Sequence, residues 1–203
     1  MNEHTAQLAQ PTRTCPFTLT LSSSARAAIK GQRPRCIWLT GLSGAGKSTL
    51  ANALEVELNQ RSLHTFVLDG DNVRGGLCKD LGMEAQARRE NIRRMAEVAR
   101  LMVDAGLIVI VSAISPFRAD REAARALFPG DEFFSVYVST PFHACARRDP
   151  KGLYREALAG RITDFTGLDS PYEAPLDADC ELDTESLDLG AAKALLLSRL
   201  GIR

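Results

Sequence analysis

The chain has 203 residues, of which 45% are hydrophobic, and its 25 Lys and Arg balance 25 Asp and Glu to a net charge of zero. That size and composition suit one soluble domain with a real core, and the even balance excludes any overall attraction to nucleic acid or to a membrane surface. No run approaches the ~18 apolar residues of a membrane span. The five cysteines (Cys15, Cys36, Cys78, Cys145, Cys180) are odd in number, widely spaced and free of any C-x-x-C, which argues against a zinc site or disulfide framework and for a cytoplasmic setting.

Residues 1–24 mix Thr, Ser, Gln and Pro without a period. They lack the apolar stretch of a signal peptide and are expected to be a partly disordered extension ahead of a domain over 25–203. Ala25–Lys30 reads as a short helix, and Cys36–Thr40 as the first strand. Then comes Gly41-Leu42-Ser43-Gly44-Ala45-Gly46-Lys47-Ser48-Thr49, a P-loop in its expected context between strand and helix. The chemistry needs these residue types. The glycines let successive N–H groups turn into one anion-sized hollow, and a helix N-terminus adds positive potential. Lys47 supplies a mobile charge for the outer phosphates of ATP and Ser48 a hydroxyl for Mg²⁺.

A helix is expected over Ser48–Gln60, with Leu50, Ala53, Leu54 and Leu58 on one face, then a strand over Thr65–Asp69. That strand runs into Asp69-Gly70-Asp71-Asn72-Val73-Arg74. In open α/β sheets ligands gather at the carboxyl ends of strands, so these carboxylates arrive beside the P-loop. Two Asp around a Gly can hold a hydrated Mg²⁺ and take a proton from an attacking hydroxyl; they also suit a plain turn. The period of Ile92, Met95, Ala96, Ala99, Met102 and Val103 predicts a helix over Ala87–Ala105, closed by Gly106. Its arginines read partly as a solvated face with i,i+4 pairs (Arg89, Arg93, Arg100). Arg88 and Arg74 lie close enough to the acidic strand end to grip an anionic second substrate.

Leu107–Val111 is continuously apolar, as a strand buried on both faces should be. It leads to Ile114-Ser115-Pro116, where Ser115 suits either a phosphate contact or a tight turn. A helix over Phe117–Phe128 and a strand over Phe133–Val138 follow. Pro150–Pro175, rich in Gly, Pro and Asp, reads as a long lid loop, with Arg147, Arg148 and Lys151 beside it. Phe165 offers an aromatic face for a base. Asp164–Gly167 also fits D-x-x-G of GTPases, but no N-K-x-D accompanies it. Glu181–Leu182 and Leu187–Leu200 complete the chain as a short strand and a helix. The alternation predicts an α/β fold, a P-loop NTPase-type parallel sheet flanked by helices with a C-terminal lid loop.

Taken together, D-G-D-N-V-R, E-N-I-R-R, R-D-P-K-G-L-Y and F-T-G-x-D-S-P-Y-E-A-P make the chain resemble the adenylylsulfate kinases over about residues 26–184. The resemblance implies ATP-dependent phosphorylation of the 3′-hydroxyl of adenosine 5′-phosphosulfate, with ATP and Mg²⁺ as cofactors. It implies that residues 41–49 hold ATP and that Asp71 is the base or, with Ser48, the Mg²⁺ organiser. It implies that Asp69, Arg74, Met83, Arg88, Asn91, Ile114, Lys151 and Phe165 meet the acceptor, that Lys151 belongs to the mobile lid, and that Ser115 is a phosphorylated intermediate. A homodimer and functional association with a separate ATP sulfurylase are further implications. The chain departs from the family pattern at Met83, where an aromatic usually forms the second wall of an adenine sandwich, and at Ala87, where an acid is usual. Direct transfer between two bound nucleotides needs no enzyme phosphate, so the Ser115 role is in tension with the chemistry. The competing expectations are a P-loop kinase for another small hydroxylated or nucleotide acceptor and a nucleotide-binding module without turnover.

Overall fold

The computed structural model describes residue 15 and residues 17–202. Most of the expected extension therefore lies outside the described residues. Its end is already structured: helix α1 covers Ser23–Lys30, with the Ser22 hydroxyl accepting the Ala25 N–H at 3.1 Å and Gly31 closing it at φ 60°. The remaining elements are β1 (Arg35–Thr40), α2 (Lys47–Gln60), β2 (Thr65–Asp69), α3 (Gly70–Arg74), α4 (Ala85–Asp104), β3 (Ile108–Ser112), α5 (Arg118–Arg125), β4 (Phe133–Val138), α6 (Phe142–Arg148), α7 (Leu153–Leu158), β5 (Cys180–Leu182) and α8 (Leu189–Arg199).

The five strands form one parallel sheet in the order β2-β3-β1-β4-β5. Residues alternate between its faces because the side-chain period of a strand is two. Ile37 and Leu39 of β1, Ile108 and Ile110 of β3, and Val136 and Val138 of β4 pack with Leu50, Leu54 and Leu58 of α2 and Leu196 of α8. Cys36, Trp38, Val109, Val111 and Phe133 pack on the opposite face with Ile92, Met95 and Ala99 of α4 and Ala124 of α5. Burial on both faces is why the central strands read as unbroken apolar runs. Truncating Leu54, fully buried, to Ala would cost about 2–5 kcal/mol.

The departures from the sequence expectation have local causes. The third strand begins at Ile108 because Leu107 is taken up by the turn that ends α4. Its N–H bonds to Met102 O and that of Gly106 to Val103 O, with Gly106 at φ 92°. A Cβ on Gly106 would also lie 3.0 Å from Arg26 O of α1, so glycine is needed there twice over. Helix α3 was not anticipated; it starts because Asp69 turns back to accept the N–H of Asp71 at 3.0 Å. Helix α7 was hidden in Pro150–Pro175, whose Gly and Pro content reads as loop, while α6 falls in the segment between the strand Phe133–Val138 and that loop, to which no element was assigned.

Candidate active site

Beyond β1 the chain turns into α2 around a cavity of about 860 Å³ at the carboxyl ends of β1, β2 and β3. Gly41, at φ 150°, sits so close to β4 that a Cβ would fall 2.4 Å from Val138 O. Gly46, at φ 95°, precedes α2 and offers no side-chain cap, so the first N–H groups of the helix remain open to an anion. Of the nine P-loop residues, Ser43, Gly44, Gly46, Lys47, Ser48 and Thr49 line the cavity. Gly41, Leu42 and Ala45 stand behind it and supply carbonyls. Lys47 Nζ donates to Gly41 O (2.9 Å) and Leu42 O (2.8 Å), and Ala45 O accepts from Thr140 Oγ1 (3.2 Å) and Thr184 Oγ1 (2.9 Å). Burial lowers the Lys47 ammonium to about 8, with Asp69 and Asp71 pulling the other way.

Ser48 Oγ donates to Asp69 Oδ2 at 2.6 Å and lies 3.2 Å from Ser112 Oγ. The sheet explains the meeting: Ser112 ends β3 in register with Leu39 of β1 and Asp69 of β2. Burial disfavours charge on Asp69, but hydrogen bonds from Ser48, from the Asp71 and Asn72 N–H groups and from Ser112 outweigh it and hold the carboxyl below its usual range. Asp71 takes another partner, forming an ion pair with Lys151 of the lid. Among the described residues no three His, Cys, Asp or Glu converge on a metal. A few hard oxygens beside a phosphate loop are what Mg²⁺ uses when phosphates and water complete its shell, so Ser48, Asp69 and Ser112 fit that ion.

The other half of the cavity is lined by Arg74, Met83, Arg88, Asn91, Ile114 and Phe165. Arg74 Nη1 donates to Gly82 O at 2.8 Å. Arg88 reaches the segment around Phe165, donating to Thr166 Oγ1 (3.0 Å), Ser170 Oγ (2.8 Å) and Asp164 O. Asn91 is buried; its Nδ2 lies 3.4 Å from Met95 Sδ, while Oδ1 has no partner. Met83 is exposed and Phe165 buried. Ser115 lies at φ 41°, a strained value for a non-glycine residue. Its hydroxyl accepts the Trp38 Nε1–H at 3.1 Å and bonds Ala113 O at 3.4 Å, so both roles of the hydroxyl are used inside the protein.

The segment Pro150–Pro175, expected as a lid, is anchored at both ends. Arg148 donates to Thr184 Oγ1 (2.7 Å) and Thr184 O (2.6 Å). The Asp149 carboxylate accepts the N–H groups of Tyr154 and Arg155, each at 3.0 Å, and so starts α7. At the far end Tyr172 Oη lies 3.0 Å from Thr40 Oγ1, the Glu173 N–H donates to Pro116 O (2.9 Å), and Arg121 bridges Ser115 O (2.6 Å) and Glu173 O (2.5 Å). The D-x-x-G segment is a turn: Asp169 accepts the N–H groups of Asp164 (2.9 Å) and Phe165 (2.5 Å).

Sequence reasoning missed Ser112, Thr140, Thr184 and the wall formed by Leu187, Leu189 and Ala192. A Ser or Thr just past a strand was the available signal, but only the sheet order identifies which strand ends converge. The arginines read as a solvated face are so paired in part: Arg93 with Glu90 and Glu97, while Arg89 lies over the Phe117 ring at 5.0 Å.

With this geometry, similarity to known proteins becomes informative. A family model described as adenylylsulphate kinase matches residues 33–183. The adenylyl-sulfate kinase of Shewanella amazonensis is 57% identical over 180 residues, covering 89% of this chain and 91% of that one. The fold is similar to that of the Mycobacterium tuberculosis APS kinase CysC, solved in complex with AMPPNP and APS, with a TM-score of 0.80 and 44% identity over 83% of this chain and 98% of that chain.

Proposed function

The chain belongs to the adenylylsulphate kinase family, and from that premise we propose that it transfers the γ-phosphoryl group of ATP to the 3′-hydroxyl of adenosine 5′-phosphosulfate. The products are 3′-phosphoadenosine 5′-phosphosulfate and ADP. The observation that carries the reading is one cavity with a P-loop and Lys47 at one end, Phe165, Arg88 and Asn91 at the other, and the Asp71–Lys151 pair between them. ATP lies with its phosphates over the amides of residues 43–49. Lys47 leaves the loop carbonyls for the outer phosphates, an exchange that returns its charge to a low-dielectric site where it acts strongly. Ser48, with Asp69 and Ser112 behind it, would hold Mg²⁺, which neutralises charge on the β- and γ-phosphates when bound.

Asp71 accepts the proton of the 3′-hydroxyl as its oxygen bonds to the γ-phosphorus and the bond to the β-phosphate oxygen breaks. Lys151, released from Asp71, then faces the transferred group as the lid excludes water. The contact of the Ser115 hydroxyl with Trp38 supports direct transfer rather than a phosphoserine. Arg74 and Arg88 are the cations for the phosphosulfate, and Phe165, with Met83 opposite, is the surface for its adenine. Five unpaired cysteines support a reducing cytoplasm as the setting, with the acceptor coming from a separate ATP sulfurylase. No helix among the described residues is long and apolar enough to cross a membrane. The test is ADP production from ATP and Mg²⁺ with adenosine 5′-phosphosulfate, beside a panel of other nucleotides and sugars. Turnover with the phosphosulfate far above the panel is expected; equal or faster turnover with another acceptor sinks the assignment.

A further inference from the structure

One buried side chain touches both halves of the cavity without lining it. Tyr154 is 2% exposed, and its Oη donates to Ser43 O of the P-loop at 2.7 Å. A peptide unit is planar and trans, so its C=O and N–H point in opposite directions. The unit whose oxygen takes the Tyr154 hydroxyl carries the Gly44 N–H on its other edge. The tyrosine therefore sets the direction of one of the amides that cradle phosphate. At its other side the same ring meets Phe165 edge-on, with centroids 4.8 Å apart and planes at 76°. Phe142 contacts the ring from another side at 5.3 Å. The placement is fixed from below, since Asp149 accepts the Tyr154 N–H and Gly152, at φ 70°, opens α7.

We propose that Tyr154 is a positioning residue that couples occupancy of the phosphate loop to the wall on which the acceptor adenine rests. The inference rests on the functional reading above. A nucleotide that takes the Gly44 N–H fixes the Ser43–Gly44 peptide, which fixes the tyrosine, which holds Phe165 in its stacking position; by reciprocity the acceptor tightens the donor. The rigid ring carries the constraint, since packed aromatic contacts are close and angular.

Titrations of adenosine 5′-phosphosulfate with and without a saturating nonhydrolysable ATP analogue give the coupling factor as the ratio of the two Kd values. In the wild type the factor should reach at least about fivefold, the lower end of ordinary site-to-site coupling. Tyr154→Phe, which keeps the ring and loses the hydroxyl, should bring it below about twofold while the acceptor still binds. Phe142→Leu removes one aromatic neighbour of the Tyr154 ring but keeps the hydroxyl on Ser43 O and the edge contact with Phe165, and should lower the melting temperature but keep the factor. A wild-type factor of one, an unchanged factor in Tyr154→Phe, or an equal loss in Phe142→Leu overturns the inference while leaving the activity standing. Should Tyr154→Phe not fold, Phe165→Leu decides: loss of the factor supports the link and its retention overturns it. No acceptor binding to the wild type under either condition overturns the function itself, and the inference with it.

Discussion

At the donor end of the cavity, nine consecutive residues supply the phosphate hollow, and hydrogen bonds to their carbonyls hold it: from Lys47 to two, from Thr140 and Thr184 to a third, from Tyr154 to a fourth. The acceptor end is assembled from separate segments between Arg74 and Phe165, and one of its groups, Met83, stands in solvent. The first region is a local structure whose parts are near in sequence and prepaid in conformation. The second exists only once β2, β3, α4 and the lid have come together. Chemistry shared by all phosphoryl transfer can be built locally, whereas selection of one acceptor needs surfaces from many places.

Asp71 stands where the two regions meet, and its loss should have the largest effect. Asp71→Asn is expected to cut kcat by about 10²–10⁴ through loss of the proton acceptor, with a smaller change in KM for ATP. Asp69→Asn should instead weaken metal-dependent ATP binding, because Asp69 is the partner of Ser48. Steady-state kinetics on the two variants separate the roles, and the reverse pattern would exchange them.

Within the donor end, Lys47→Ala should lower kcat by about 10²–10³, the loss associated with one transition-state donor. The same lysine makes the donor end pH-sensitive. Its folded pKa is lowered to about 8, and it is the protonated form that attracts phosphate. Affinity for an ATP analogue should therefore fall as pH rises through 8, by at most about tenfold per pH unit, and bound phosphate should raise the pKa. Calorimetric titrations from pH 7 to 9.5 measure the slope. The Ala variant should lose it, and a slope that persists there would assign the proton to another group.

At the acceptor end Met83→Phe places a ring where the family pattern has an aromatic. Acceptor binding should tighten about two- to twelvefold, the equivalent of ~0.5–1.5 kcal/mol of stacking, with affinity for the ATP analogue unchanged. Equal gains at both ends, or none, would remove Met83 from the acceptor site. The smallest effect on rate is expected at Ser115. Ser115→Ala should stay active in direct transfer, while stability drops by about 1–3 kcal/mol because the buried Trp38 N–H loses its acceptor. Loss of turnover together with ³²P on wild-type Ser115 that chases into product would instead favour a phosphoenzyme.

The same contrast governs what could be read from the residues alone. The P-loop, the strands Thr65–Asp69 and Phe133–Val138, and the apolar face of α4 were legible because each is specified within a few turns or alternations. The partner of the Ser48 hydroxyl was not: Asp69 and Asp71 sit two residues apart around a glycine, and only the short helix capped by Asp69 turns one toward the loop and the other toward Lys151. Ser115 read equally as phosphate contact or turn, and the distant Trp38 indole decides where its hydroxyl is engaged. Arg88 was expected to meet an anion, yet three of its contacts lie on lid residues 76–82 positions away, a distance no local pattern encodes.

The sheet order has a consequence for how the protein comes into being. The strand that carries the phosphate loop is the first of the five to be made, and its neighbours are β3 and β4 rather than β2. During synthesis its edges find no partner until Ile108–Ser112 and then Phe133–Val138 have left the ribosome. Pairing across such separations is slow, because the loop must close before contacts offset its entropy. The glycine loop also needs Val138 and the later Thr184 against its back. Nucleotide therefore cannot template the nascent chain from its N-terminal third. ATP becomes a stabilising ligand only when those later residues are in place, and before that helix α2 is the cover the apolar central strand has nearby.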